Sequence, residues 1–301
     1  MVNYHIIKYR KFWLLISAAL VTLAVVAVAV WGLRLGLDFT GGSLLEVEFN
    51  NGQPTVSDVQ TGLKDAGVSS LIVQPTGSHS VILRFQETSQ EKHLAVVEAL
   101  SKMEVAKGGM TEIRFESIGS SVGAELRTKS FWVMFLVLLV IILYISIAFN
   151  KVSKPVVSWK YGLISIIALF HDVILTVGAF AILGHYMNVE VNTSFIVALL
   201  TVLGYSVHDT IVVFDRTREN LPKSKESFAD TVNHSLNQTF VRSITTTVTV
   251  LLSLFAVLFF GGASIRDFAL ALIIGVSCGA YSSLFVASPL LVYMEQWQKR
   301  R

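Results

Sequence analysis

The chain is 301 residues long, 53% hydrophobic and 15% charged, with a mean hydropathy of +0.62. Water-soluble domains carry about 25% charge, so composition argues against a soluble enzyme and for a polytopic membrane protein. The net charge of +3 is too small a bias for a nucleic-acid partner, and a single cysteine, Cys278, excludes an intrachain disulfide and a cysteine-built metal site.

Phe12–Trp31 is the first apolar block long enough to cross a bilayer. It follows Lys8, Arg10 and Lys11 and exceeds a signal-peptide core, so residues 1–33 are expected to be a cytoplasmic N-terminus with an uncleaved anchor. Residues 34–129 then read as ordinary soluble sequence. Leu45, Val47 and Phe49 alternate with Glu46 and Glu48 as in a strand, and Val56, Val59, Leu63 and Ala66 fall at helical spacing. Leu71–Val73 and Val81–Phe85 form a predicted hairpin across Gly77–Ser78, Val96, Val97, Leu100 and Met103 mark a second helix, and Ile113 and Phe115 mark a last strand. This βαββαβ order is the split βαβ pattern of an α+β, ferredoxin-like domain. It carries no catalytic constellation, and His79 and His93 are expected to be solvated.

Five further spans fill residues 130–294, before a short tail, 295–301: Phe131–Phe149, Tyr161–Leu183, Phe195–Phe214, Ile244–Phe260 and Phe268–Met294, the last expected to kink or end at Pro289. Two carboxylates lie inside them. Asp172 sits beside His171 near the middle of the third span. Asp209 lies roughly 8 Å from the middle of the fourth, on one face with Tyr205, His208 and Val212. An aspartate at helix centre costs about 2.5–3.5 kcal/mol to insert, and such residues are usually functional. Both are candidate proton carriers; the alternative for each is a structural interhelical hydrogen bond. Asp215 is an interfacial charge. Arg242 opens the fifth span ahead of Ser243 and Thr245–Thr247, and is expected to turn inward and pair with Asp209 rather than snorkel. Gly275-Val-Ser-Cys-Gly279, Gly178 and Gly184 suit close helix packing.

Lysine and arginine concentrate on one side of the predicted topology: Lys8, Arg10 and Lys11; Lys151, Lys154 and Lys160; Arg216, Arg218, Lys223, Lys225 and Arg242; and Lys299, Arg300 and Arg301. Both termini are therefore expected to be cytoplasmic and residues 34–129 extracytoplasmic. No G-x-x-x-x-G-K-[ST] run is present, so ATP is not the direct energy source, and nothing calls for a cofactor or metal. A hydrolase fits least, because Ser206 and His208, two apart on one helix, point away from each other.

Gly36-Leu-Asp-Phe-Thr-Gly-Gly42, the run from Gly204-Tyr205 through Asn220, His171-Asp172-Val173 and the Arg242 segment together resemble the SecF family, a branch of the RND transporter superfamily. The resemblance covers the whole chain; one departure is His208, where many members carry Asn. It implies a cell-membrane subunit that assists Sec-dependent protein export with the proton-motive force. The implied partners are a SecD-like six-span subunit that completes half an RND-type bundle, the SecYEG translocon, a YajC-like accessory protein, unfolded preproteins and membrane lipid. It maps a proton relay onto Asp209 and Arg242, with Asp172 and His208 beside them, and a motif or transmission role onto Asp38, Phe39, Thr40, Gly41, Gly42, Gly204 and Tyr205. A proton crossing the field yields about 2.3 kcal/mol per 100 mV, comparable with the cost of burying one aspartate. A proton-coupled RND-type exporter of a small molecule or lipid is the alternative, and a non-transporting scaffold the third reading.

Overall fold

The computed structural model describes residues 4–86, 88–148 and 156–300. Phe149, Lys151, Lys154 and Arg301 of the predicted spans and basic connections lie outside them. The chain divides into two compact units, Leu35–Phe131 and the remainder.

The first unit opens with a short helix, α2 (Leu37–Thr40), which follows the long α1 (Arg10–Trp31) and leads into β1 (Gly42–Phe49). Then come α3 (Val56–Gly62), β2 (Ile72–Thr76), β3 (Ser80–Phe85), α4 (Gln90–Ser101) and β4 (Met110–Ile118). The strands form one antiparallel sheet in the order β2-β3-β1-β4. β1 and β2 both run against β3, so they are parallel with β3 between them, which is the split βαβ arrangement read from the strand and helix periods. Leu45, Val47, Phe49, Val81, Leu83 and Phe85 alternate onto one sheet face and pack with Val59, Leu63, Val96 and Leu100 of the two helices. Thr55 caps α3 in a capping box with Asp58, and Ser89 caps α4.

His93 departs from its expected solvation. It is buried on α4, its Nε2 lies 3.2 Å from Glu112 Oε2 of β4, and its ring stacks on Phe115. The residue continues the apolar helix face one turn before Val96 and Val97. His79 is exposed in the β2–β3 turn.

Among the described residues six helices are long and apolar enough to cross a membrane. Besides α1 they are α5 (Ser120–Ala148), α6 (Ser158–Met187), α7 (Thr193–Asn220), α8 (Phe228–Phe260), and α9 (Ala263–Ser282) continued into α10 (Ser288–Lys299). Several exceed their apolar blocks. α5 begins at Ser120 rather than Phe131, and α8 at Phe228, capped by Ser227, rather than Ile244. A hydropathy window stops where polar residues begin; the backbone ladder does not. The last span is not ended by Pro289. A π-helical turn, Ser283–Ala287, joins α9 to α10, and Pro289 falls in the first turn of the resumed helix. The widened turn accommodates a ring that would otherwise clash with the preceding turn.

α6, α7 and α9 form the buried centre of the helical unit, with Ile164, Ala168, Leu203, Val207, Leu284 and Leu291 in one cluster. Small residues set the spacing. A methyl on Gly275 would overlap Val202 of α7, and one on Gly279 would lie 3.0 Å from the Ser206 side chain. A methyl on Gly178 would overlap Ala24 of α1. Gly184 differs from its expected helix-packing role: it faces Val189 and Arg34, both outside regular helix. α5 touches the cluster through Met134, Leu138, Ile141 and Ile145, while Phe131, Trp132, Phe135 and Leu136 are exposed.

Candidate functional site

Asp172 has no exposed surface and lies where α6, α7 and α9 meet. Ser206 of α7 donates its hydroxyl to Asp172 Oδ2 at 2.5 Å, and Ser282 of α9 donates to the same oxygen at 2.8 Å. His171 Nδ1 lies 2.9 Å from Oδ1. Three of the central helices are therefore joined through one carboxylate. One turn further along, Thr210 and Ser283 exchange a hydrogen bond at 2.9 Å, again between α7 and the last span. The polar ladder thus runs directly into the π-helical turn, whose Ser283 carbonyl accepts from Ser288 at 3.2 Å. His171 is itself buried, and its Nε2 makes no hydrogen bond among the described residues. Ser206 is engaged by a carboxylate of another helix, not by a histidine.

Asp209 lies one turn along α7 from Ser206 and turns toward α8. It is partly buried, and Ser243 of α8 donates to its Oδ1 at 2.7 Å, while Oδ2 has no hydrogen-bond partner among the described residues. Tyr205, one turn earlier, exchanges a hydrogen bond with Thr247 of α8 at 3.2 Å. Asp172 therefore joins α6, α7 and α9, and Asp209 joins α7 and α8. His208 is exposed, and Gly204 has no side chain within 4 Å of where its own would begin.

Arg242 does not pair with Asp209. It is exposed on α8 and lines a shallow groove of about 270 Å³ with Asp215, Arg216, Glu219 and Gln238. Helical geometry explains the difference: Arg242 and Ser243 are adjacent and about 100° apart around α8, so when Ser243 faces Asp209 its neighbour turns away. No signal in the chain alone separated these two positions. Ser206, Ser282, Thr210 and Ser283 were not expected as site residues. Ser206 and Thr210 lie four apart on one face of α7, so the helical period could have paired them.

The glycine motif is a packed joint. Thr40 Oγ1 donates to the Gly36 carbonyl at 3.1 Å, Phe39 is buried, and Asp38 lies in the first turn of α2. Gly41 and Gly42 have φ of 71° and 112°. A side chain on Gly41 would meet Ser120 Cα at 2.7 Å, and one on Gly42 would meet the Phe85 carbonyl oxygen at 2.7 Å. Both the left-handed backbone and the close approach require glycine. The joint therefore seats the start of β1 against β3 and the start of α5.

Comparison with known proteins bears on what these features are for. A family model described as "Protein export membrane protein SecD/SecF, C-terminal" matches residues 97–297, and one described as "SecD/SecF GG Motif" matches residues 26–52. The protein translocase subunit SecF of Thermobaculum terrenum is 43% identical, over 96% of this chain and 93% of its own. That of Sebaldella termitidis is 34% identical, over 98% and 92%. The crystal structure of SecDF, a translocon-associated membrane protein from Thermus thermophilus, superposes with a TM-score of 0.83 at 30% identity; the match covers 99% of this chain and 39% of that longer one.

Proposed function

The chain belongs to the SecD/SecF family of protein-export membrane proteins, and from that premise we propose that it couples the proton-motive force to Sec-dependent export as an accessory subunit. The observation that carries this reading is Asp172, a carboxylate without exposed surface that accepts hydrogen bonds from two other apolar helices. A carboxylate so placed changes its partners when it gains or loses a proton, and three helices then change their packing together. Asp209, whose Oδ2 has no hydrogen-bond partner among the described residues, is the second proton station, reached from the α8 side.

Protons cross the membrane through this bundle only with a partner present. α5 and α8 leave long apolar faces uncovered, and Arg242 and His208 stand exposed inside or at the edge of the spans. A SecD-like six-span subunit covers them, and the pair acts at SecYEG on unfolded preproteins. The excess of Lys and Arg in one set of connections supports a topology with both termini in the cytoplasm and residues 34–129 on the far side.

The test is preprotein translocation into vesicles carrying the reconstituted complex, with and without an imposed proton gradient. Asp172→Asn and Asp209→Asn each remove a titrating group at nearly constant volume. Each is expected to lose most of the gradient-stimulated translocation while still assembling with the partner. Full stimulation in both variants defeats the proton-carrier reading and leaves a scaffold. Gradient-driven efflux of a small dye, with unaltered secretion when the chain is deleted, supports an exporter instead.

A further inference from the structure

The proton-linked reading needs a path from the buried carboxylate to the α/β domain, and the glycine joint does not supply it, because Gly41, Gly42 and Ser120 all belong to the α/β unit itself. A different cluster lies at the end of the helical unit where α1 stops. Arg34 is the last residue of that unit, and Leu35 begins the other. Three bonds hold Arg34 to the loop between α6 and α7. Its carbonyl accepts from the Val191 N–H at 2.8 Å, its Nη1 donates to Asn188 Oδ1, and its Nε lies 3.5 Å from Glu190 Oε1. Asn188 is the left-handed residue that ends α6. Gly184, in the last turn of α6, leaves room for the Arg34 side chain, whose Cβ would lie 3.3 Å from an added methyl. Trp31, at the end of α1, stacks on His185 with centroids 5.1 Å apart. The Asp267 carboxylate, in the first turns of α9, lies close to the Glu190 backbone.

The loop at 188–191 therefore ties α6, α7 and the exit of α1 together beside the start of α9, and α6, α7 and α9 are the helices joined by Asp172, Ser206 and Ser282. Unbroken helix connects the two levels. Asp172 lies about 24 Å along α6 from Asn188, and Ser282 about 22 Å along α9 from Asp267, at 1.5 Å per residue. A half-exposed ion pair contributes only about 0–1 kcal/mol to stability, so these bonds serve register rather than folding.

We propose that Arg34 is a positioning residue whose clamp on the 188–191 loop passes movement of α6, α7 and α9 into the segment that enters the α/β domain. This rests on the export reading above. In reconstituted vesicles, Arg34→Glu, Glu190→Arg and the two together are compared for gradient-stimulated translocation, for proton flux and for assembly. Each single variant is expected to lose stimulated translocation at least about fivefold while proton flux persists, and the double variant to regain it. Wild-type translocation in the single variants, a parallel fall in proton flux, or no recovery in the charge swap overturns the clamp. Should Arg34→Glu fail to assemble, Asn188→Gly keeps the left-handed turn and removes the acceptor; uncoupling in that variant supports the clamp, and full coupling overturns it. Absence of gradient stimulation in the unaltered complex overturns both readings. Stimulation in the unaltered complex, equalled by the variants, overturns the clamp alone.

Discussion

A buried carboxylate is tolerable only when its oxygens are occupied, and Asp172 meets that condition with two serine hydroxyls and an imidazole nitrogen. Asp172→Leu removes the acceptor and strands the Ser206 hydroxyl, while Ser282 keeps the Gly279 carbonyl at 3.2 Å. Thermal unfolding in detergent is expected to show a loss of about 1–3 kcal/mol, against a smaller loss for Asp172→Asn, whose amide oxygen still accepts. Equal stability of all three proteins is inconsistent with the bond network described. Asp209 has one serine donor and an oxygen with no partner among the described residues, so its replacement costs less folding energy. Arg242 belongs to neither carboxylate, because the residue beside it on α8 occupies that direction.

Elements meet at points where there is room for nothing larger than a hydrogen or a methyl. Gly41→Ala puts a methyl against the Ser120 backbone at a φ of 71°. It is expected to destabilise the α/β domain by about 1–3 kcal/mol, seen as faster proteolysis within Leu35–Phe131. An unchanged cleavage rate argues against the joint. The π-helical turn is the matching feature in the helical unit. Its one surplus residue is taken up in the widened turn, so Leu291 and Val292 of α10, both without exposed surface, still face the core.

At the scale of the molecule, the helical unit is well packed on one side only. α6, α7 and α9 hold most of the buried residues, whereas α8 carries Arg242, Thr246, Thr249 and Ser253 on an exposed stripe, with the threonine and serine hydroxyls bonded back to their own helix. Back-bonding satisfies the hydroxyls without a partner, but a polar stripe on an otherwise apolar span is costly against lipid. Thr246→Cys and Thr249→Cys are expected to cross-link to a cysteine on the six-span partner in native membranes. Cross-linking confined to lipid-facing control positions such as Phe135→Cys places the partner elsewhere.

Apolar length and period alone determined that this chain has six spans and a βαββαβ domain between the first two, because bilayer thickness and side-chain alternation are one-dimensional constraints. The carboxylates at 172 and 209 were legible for the same reason: charge inside an apolar run is visible without a fold. Which groups meet them was not. Ser206, Ser282 and Ser283 are ordinary serines until α7 and α9 pack, and adjacent Arg242 and Ser243 differ only in the direction they face. His93 shows the same limit in the α/β domain, where position on the apolar face of α4, opposite Glu112 and Phe115, outweighed polarity. Partnership across helices is decided by rotation and close approach, which exist only once the chain has folded.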